Sequence, residues 1–201
     1  MAIENPAAVV AIDLHRGHMD PEVATMPVPA DLGAALLGRV ERALKGLREA
    51  GAHVVHVVTE YRNAAEIRSN PFWASNTSPT RARAMEHNLS GSPGLEIMPG
   101  LFVEGDSVIS HKKRYSAYLH TDLDFVLRSL GVKTVLLAGV NTNSCILASS
   151  FETVNRDFSL VVLEDCVDSM DGPDAHRMAL EMVRLCLGRV LSSEEATREL
   201  G

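Results

Sequence analysis

A chain of 201 residues, 46% hydrophobic and 22% charged, has material for one domain, residues 1–201, with a sizeable core. Its 19 Lys and Arg stand against 26 Asp and Glu, a formal charge of −7; the densest basic run, Lys112-Lys113-Arg114, is too short to neutralise a phosphate backbone, so nucleic acid is an unsuitable partner. No apolar run approaches the roughly 18 residues of a membrane span. The N-terminus has Glu4 where a signal peptide needs basic residues, and three widely spaced cysteines without a CxxC pair suit a reduced, cytoplasmic setting.

In chain order, 7–13 reads as a buried strand ending in Asp13, and 31–51 as a helix with Asp31 at its N-cap and Gly51 at its stop. Strands follow at 52–60 and 106–112. A helix over 121–131 has Thr121 as its cap, and a strand at 132–139 runs into a helix from about Asn143 to Asn155. A strand at 159–165, a helix at 173–188, and a short strand with a capped final turn complete the series. Ser192 and Glu195 fit a capping box. Alternation of helices with nearly continuous apolar strands predicts an α/β architecture: a three-layer Rossmann-like fold with a six-stranded, mostly parallel sheet flanked by helices. Residues 63–105 break the rhythm with four prolines and the only tryptophan, Trp73, and read as an irregular insertion that covers a site or meets another subunit.

Open α/β sheets bind ligands at the carboxyl ends of their strands, and three chemically capable residues fall there. Cys145 follows the fourth strand in the polar string Asn141-Thr142-Asn143-Ser144. In the first turn of a helix its thiolate is favoured by free N–H groups, although a cysteine also packs as a small hydrophobe. Asp13 is either a general base beside the thiol or a loop-capping carboxylate. Lys112, or its neighbour Lys113, either holds that pair ionised or is solvated at an edge. Cys166 and Cys186 read as structural, and His53 and His56 as core residues of an apolar strand.

With those residues placed, the chain resembles the isochorismatase-like cysteine hydrolases, the family of nicotinamidases, N-carbamoylsarcosine amidase, and ureidoacrylate and biuret hydrolases. The resemblance rests on VVAIDLH (9–15), GDSVISHKKRYSAY (105–118), LRSLGVKTVLLAGVNTNSCILAS (127–149) and LEDCVDSMDGPDAHRMAL (163–180). It implies an Asp–Lys–Cys triad at Asp13, Lys112 and Cys145. It also implies a cis peptide at Val140–Asn141, with an oxyanion hole from the N–H groups of Asn141 and Cys145. The implied reaction is hydrolysis of a small amide, ureide or N-carbamoyl compound through a thioester. The implied assembly is a homodimer or homotetramer.

Family nicotinamidases carry metal-binding histidines after the second strand. No histidine occurs here between His56 and His87, so the expectation is no catalytic metal and no cofactor. The loop at 15–29 also departs from the family pattern. His15, Arg16 and His18 become candidate substrate contacts, as do Arg62, Arg68, Trp73 and Tyr118. The alternatives are an isochorismatase-type enol-ether hydrolase, whose relatives generally lack the cysteine, and a catalytically silent binding member.

Overall fold

The computed structural model describes residues 2–201. Six strands form one all-parallel sheet: β1 (Ala7–Ile12), β2 (His53–Thr59), β3 (Ser107–Lys112), β4 (Thr134–Val140), β5 (Ser159–Asp168) and β6 (Arg189–Leu191). Their spatial order is β3-β2-β1-β4-β5-β6. The chain therefore winds outward from β1 in one direction and from β4 in the other. The crevice between the carboxyl ends of β1 and β4 is the switch point where such sheets hold ligands.

The helices are α1 (Arg16–Met19), α2 (Ala30–Glu49), α3 (Ala64–Arg68), α4 (Pro71–Ser75), α5 (Leu123–Ser129), α6 (Leu147–Val154), α7 (Pro173–Cys186) and α8 (Ser193–Leu200). Every residue of β1 is buried, because both faces of the sheet are covered. Ala7, Val9 and Ala11 pack with Leu36, Val40, Leu44 and Leu47 of α2 and Leu200 of α8. Ala8, Val10 and Ile12 face the other way, toward Leu123 and Leu127 of α5 and Leu180 and Val183 of α7. The α2 stripe recurs at helical spacing, and burying each leucine contributes about 1.5–3 kcal/mol.

Several boundaries differ from expectation. α2 starts at Ala30 with Pro29 at its cap; Asp31 lies inside the first turn, where its charge still complements the helix dipole. α5 starts at Leu123 with Asp122 at the cap position but no side-chain bond from it; the Thr121 hydroxyl donates to the Ala117 carbonyl and accepts from the Leu123 N–H (3.4 Å). β5 runs on to Asp168, past the expected 165. His53 is exposed at the open end of β2, while His56 is buried as expected. Cys166 is buried and Cys186 exposed on α7. The Ser192–Glu195 capping box is present. The insertion is not featureless: besides α3 and α4 it holds single 3-10 turns at Pro79–Arg81, Ala84–Glu86 and Pro93–Leu95.

Behind the sheet, Asp106 ties α2 to the sheet. It accepts two hydrogen bonds from Arg48 (3.1 and 2.6 Å), one from the Val103 N–H (3.0 Å), and lies 3.1 Å from His56 Nε2. Burial raises the Asp106 carboxyl, but the Arg48 contacts outweigh it and hold it below the ordinary value. A carboxylate depressed in this way stabilises the fold above its unfolded pKa and loses that contribution as pH falls through its folded one. Asp106→Asn is expected to cost about 2 kcal/mol at neutral pH. The gap from the parent should close below about pH 3.8, the ordinary aspartate value. Urea unfolding of both proteins across this range measures it; a gap unchanged from pH 7 to pH 3 would refute the assignment.

Candidate active site

At the switch point the two central strands nearly touch. Ile12 of β1 is in register with Gly139 of β4. Gly139 has φ 116°, and a Cβ there would lie 2.0 Å from the Ile12 carbonyl oxygen. Only glycine permits this approach, and it brings the residues just beyond each strand, Asp13 and the 141–145 turn, to one place.

Asp13 is fully buried and has φ 57°, a left-handed conformation unusual for a residue with a side chain. Its Oδ1 accepts from the Thr59 N–H (3.1 Å) and hydroxyl (2.8 Å), and its Oδ2 from Lys112 Nζ (2.7 Å). Lys112 Nζ donates also to Thr59 Oγ1 (2.9 Å) and to Cys145 Sγ (3.3 Å). One ammonium thus bridges carboxylate and thiol.

A bulge in β3 makes this possible. Val57 pairs with Ile109 and Thr59 with Lys112, so β3 spends three residues where β2 spends two. The extra residue is accommodated with His111 at φ 66°. Ile109 and Lys112 consequently both point into the protein, whereas strict alternation would put them on opposite faces. His111 turns outward to Glu60 (2.8 Å), and Lys113 bonds the Glu60 carbonyl and Glu66. Of the two lysines, Lys112 is the one at the thiol.

Cys145 lies in a wide turn over Thr142–Ile146 that precedes α6, not in the first turn of an α-helix starting at Asn143. The preceding Val140–Asn141 peptide is cis. The polar string is anchored by side chains: Asn141 Oδ1 accepts from Met170 N–H (2.9 Å), Asn143 bonds Asp171 and Ser169, and Thr142 Oγ1 lies 2.9 Å from His176 Nδ1.

Burial and charge set the ionisation. Burial raises Asp13, but Lys112 and His15 more than offset it and hold the carboxyl well below its usual range. Burial alone would lower Lys112; Asp13 and Cys145 beside it hold it above the ordinary lysine range. Burial, together with the Asp13 carboxylate, pushes the Cys145 thiol up to about 11 despite Lys112. At neutral pH the resting set is therefore carboxylate, ammonium and thiol.

These groups form the floor of a cavity of about 620 Å³, solvent at its mouth included. Its walls come partly from the insertion. Trp73 Nε1 donates to Tyr115 Oη (2.9 Å), Tyr61 meets Trp73 edge-on, and Arg114 stacks over Trp73 at 4.9 Å. Arg81 closes one side through two bonds to Asp171 (2.7 and 2.9 Å).

Among the expected site residues, Asp13, Lys112, Cys145, Asn141, His18 and Trp73 all line this cavity. Four do not. His15 is wholly buried behind Asp13, its Nε2 3.5 Å from Oδ1. Arg16 pairs with Asp20 and Glu96 at the surface. Arg62 is exposed and held by Glu66 one helical turn on. Tyr118 is buried, bonding Thr153 Oγ1 at 2.9 Å. Arg68 is also exposed and off the cavity. Sequence reasoning missed Thr59, which the strand-end rule would have found, Arg114, although it lies in the quoted 105–118 stretch, and His87 and Arg81, for which local pattern held no cue.

His15, His18 and His87 cluster at one edge of the cavity, with ring centroids 4.6 to 5.7 Å apart. Burial, and the neighbouring imidazoles, hold His18 down to about 4 and His87 well below its ordinary value. The expectation of no metal rested on the lack of histidines between His56 and His87; here His15 and His18 come from the first loop and His87 from the insertion that follows β2.

Comparison with known proteins adds four findings. The family model described as the isochorismatase domain matches residues 7–195. The chain is 28% identical over 180 residues to a ureidoacrylate amidohydrolase of Methylorubrum extorquens, covering 81% of this chain and 73% of that one. It is 26% identical over 193 residues to a maleamate amidohydrolase of Pseudomonas putida, covering 96% and 86%. A solved cysteine hydrolase from Pseudomonas syringae pv. phaseolicola superposes with a TM-score of 0.80 at 21% identity, over 100% of this chain and 97% of that one, and so shares the fold. Among the described residues no helix is long and apolar enough to cross a membrane.

Proposed function

The chain belongs to the isochorismatase family, and from that membership we propose that it is a cysteine amidohydrolase cleaving a C–N bond of a small amide, ureide or N-carbamoyl compound. The observation that carries this reading is the single ammonium of Lys112 touching both Asp13 Oδ2 and Cys145 Sγ on the cavity floor. The named relatives, which act on ureidoacrylate and maleamate, support amide chemistry over ether cleavage.

The residues divide the work as follows. Asp13 takes the thiol proton as Cys145 sulfur adds to the carbonyl carbon, while Lys112 keeps the carboxylate and the developing thiolate compensated. The tetrahedral oxyanion is received by the N–H groups of Asn141 and Cys145, one such donor being worth about 3–4 kcal/mol. Asp13, now protonated, passes its proton to the leaving nitrogen, and ammonia or an amine departs. It then deprotonates the water that cleaves the thioester, releasing the acid and restoring the thiol. The aromatic walls of Tyr61, Trp73 and Tyr115 suit a planar ureide or conjugated amide. The protein works as a cytoplasmic homodimer or homotetramer in this reading; exposed Phe125, Met178 and Leu185 offer apolar surface for a second copy.

The test is a screen of amides, ureides and carbamoyl amino acids for ammonia release. Turnover of at least one member above the uncatalysed rate is the expected result. A panel-wide absence of turnover, with Cys145 forming no adduct with substrate, would overturn the assignment.

A further inference from the structure

The stretch 163–180 carries part of the family resemblance yet supplies none of the reacting groups. Its place in the fold shows what it supports. Leu137 of β4 pairs with Val162 of β5 and Gly139 pairs with Val167, so β5 advances five residues where β4 advances two. The surplus is thrown out as an irregularity in the ladder, and pairing continues with Val140 against Asp168. Ser169, Met170 and Asp171 thereby come beside Asn141 and Asn143.

Side chains of the two segments then close a ring. Ser169 Oγ donates to Asn143 Oδ1 (2.7 Å), Asn143 Nδ2 donates to Asp171 Oδ2 (2.9 Å), and the Asp171 N–H donates back to Ser169 Oγ (3.0 Å). Both ends of the Asn143 amide are engaged, so its orientation is fixed. Asp171 is held in turn by Arg81, whose two Nη groups meet its two oxygens, and the side chains are only 14% and 24% exposed for Arg81 and Asp171. Arg81 beside it holds the Asp171 carboxyl below the ordinary aspartate value against the effect of burial, with Asn143 adding to it. Neither Asp171 nor Asn143 lines the Cys145 cavity, whereas Arg81, Asn141 and Cys145 all do.

We propose that Asp171 is a positioning residue for the oxyanion hole: through Asn143 it fixes the turn that carries the Asn141 and Cys145 N–H groups, and through Arg81 it ties that turn to the insertion. Such donors work only at a preset geometry, and a displacement of about 1 Å caused by a distant change can cost about a hundredfold in rate. The assignment rests on the acyl-transfer reading above, since it needs a hole that receives an oxyanion.

The test follows acylation of the full chain by p-nitrophenyl acetate, an activated ester that does not depend on the natural substrate. Cys145 sulfur bonds to the acetyl carbon, the ester C–O bond breaks, the thiol proton passes to Asp13, and p-nitrophenolate leaves. The burst of p-nitrophenolate is read by stopped flow across ester concentrations, with Cys145→Ala as the blank. Asp171→Ala and Asn143→Ala are each expected to lower the limiting burst rate by about ten- to hundredfold, part of what losing an oxyanion donor outright would cost. The half-saturating concentration should change by less than about threefold, which separates positioning from binding. The double variant should be no slower than the slower single one, because Asp171 acts through Asn143. A parental rate in either single variant overturns the proposal, as does a loss confined to the half-saturating concentration, or losses that multiply in the double variant. If Asp171→Ala fails to melt cooperatively, Asn143→Ala, which leaves the Arg81–Asp171 pair in place, decides the matter by its rate. A parent without a Cys145-dependent burst overturns the proposal too. A blank amide screen beside a normal burst defeats the amidohydrolase reading alone.

Discussion

Cys145→Ala is expected to reduce ammonia release by about ten-thousandfold or more, the scale seen when a covalent nucleophile is removed. The loss should fall on chemistry and not on folding. The side chain is small and sits at the cavity floor, so trimming its sulfur costs about 1–2 kcal/mol of packing. Steady-state kinetics beside a thermal melt separate the two effects. Trapping should agree: a slowly hydrolysed substrate adds an acyl mass to the peptide carrying Cys145. Whole-protein alkylation is a poor substitute, because Cys186 is exposed and reacts for reasons of access alone. Full activity in Cys145→Ala would end the covalent mechanism.

Lys112→Met should be damaging in a different way. It keeps the length of the stem but strips the ammonium that bridges the buried carboxylate and thiol. Removing one partner of a buried ion pair typically costs about 3–5 kcal/mol, because the other charge is left uncompensated. Adding Asp13→Asn removes that stranded charge. The double variant is therefore expected to recover most of the lost stability and none of the activity, a non-additivity that a double-mutant cycle measures by urea unfolding. If Lys112→Met were as stable as the parent, the lysine would not be compensating Asp13 in the fold.

Much of this site could be read before the structure, and the reason is topological. Continuous apolar runs report strands buried on both faces, and a parallel sheet presents its strand ends on one rim; Asp13, Lys112 and Cys145 all follow from that rule. What escaped depends on contacts between distant segments. His87 and Asn88 come from an insertion without periodicity, yet they pack on His15 and His18. Arg62 looked available for a substrate carboxylate, but Glu66 one turn later satisfies it. Tyr118 sits in a family motif and is spent inside the core on Thr153. The sequence pattern places His15 among substrate contacts, whereas in the structure it backs the Asp13 carboxylate, a reversal no single-loop pattern discloses.

The bulge at His111 has a consequence for how this protein tolerates change in length. Lys112 faces the thiol only because β3 carries one residue more than β2 opposite it. Deleting Ser110 would leave Asp13, Lys112 and Cys145 all present in the chain, while turning the lysine stem to the outer side of the sheet. Such a protein would keep every reactive group and lose their convergence. In this edge strand, single-residue gaps are thus a harsher filter on activity than most substitutions. A homologous sequence with its lysine intact but this strand one residue shorter should be read as inactive until its register is known.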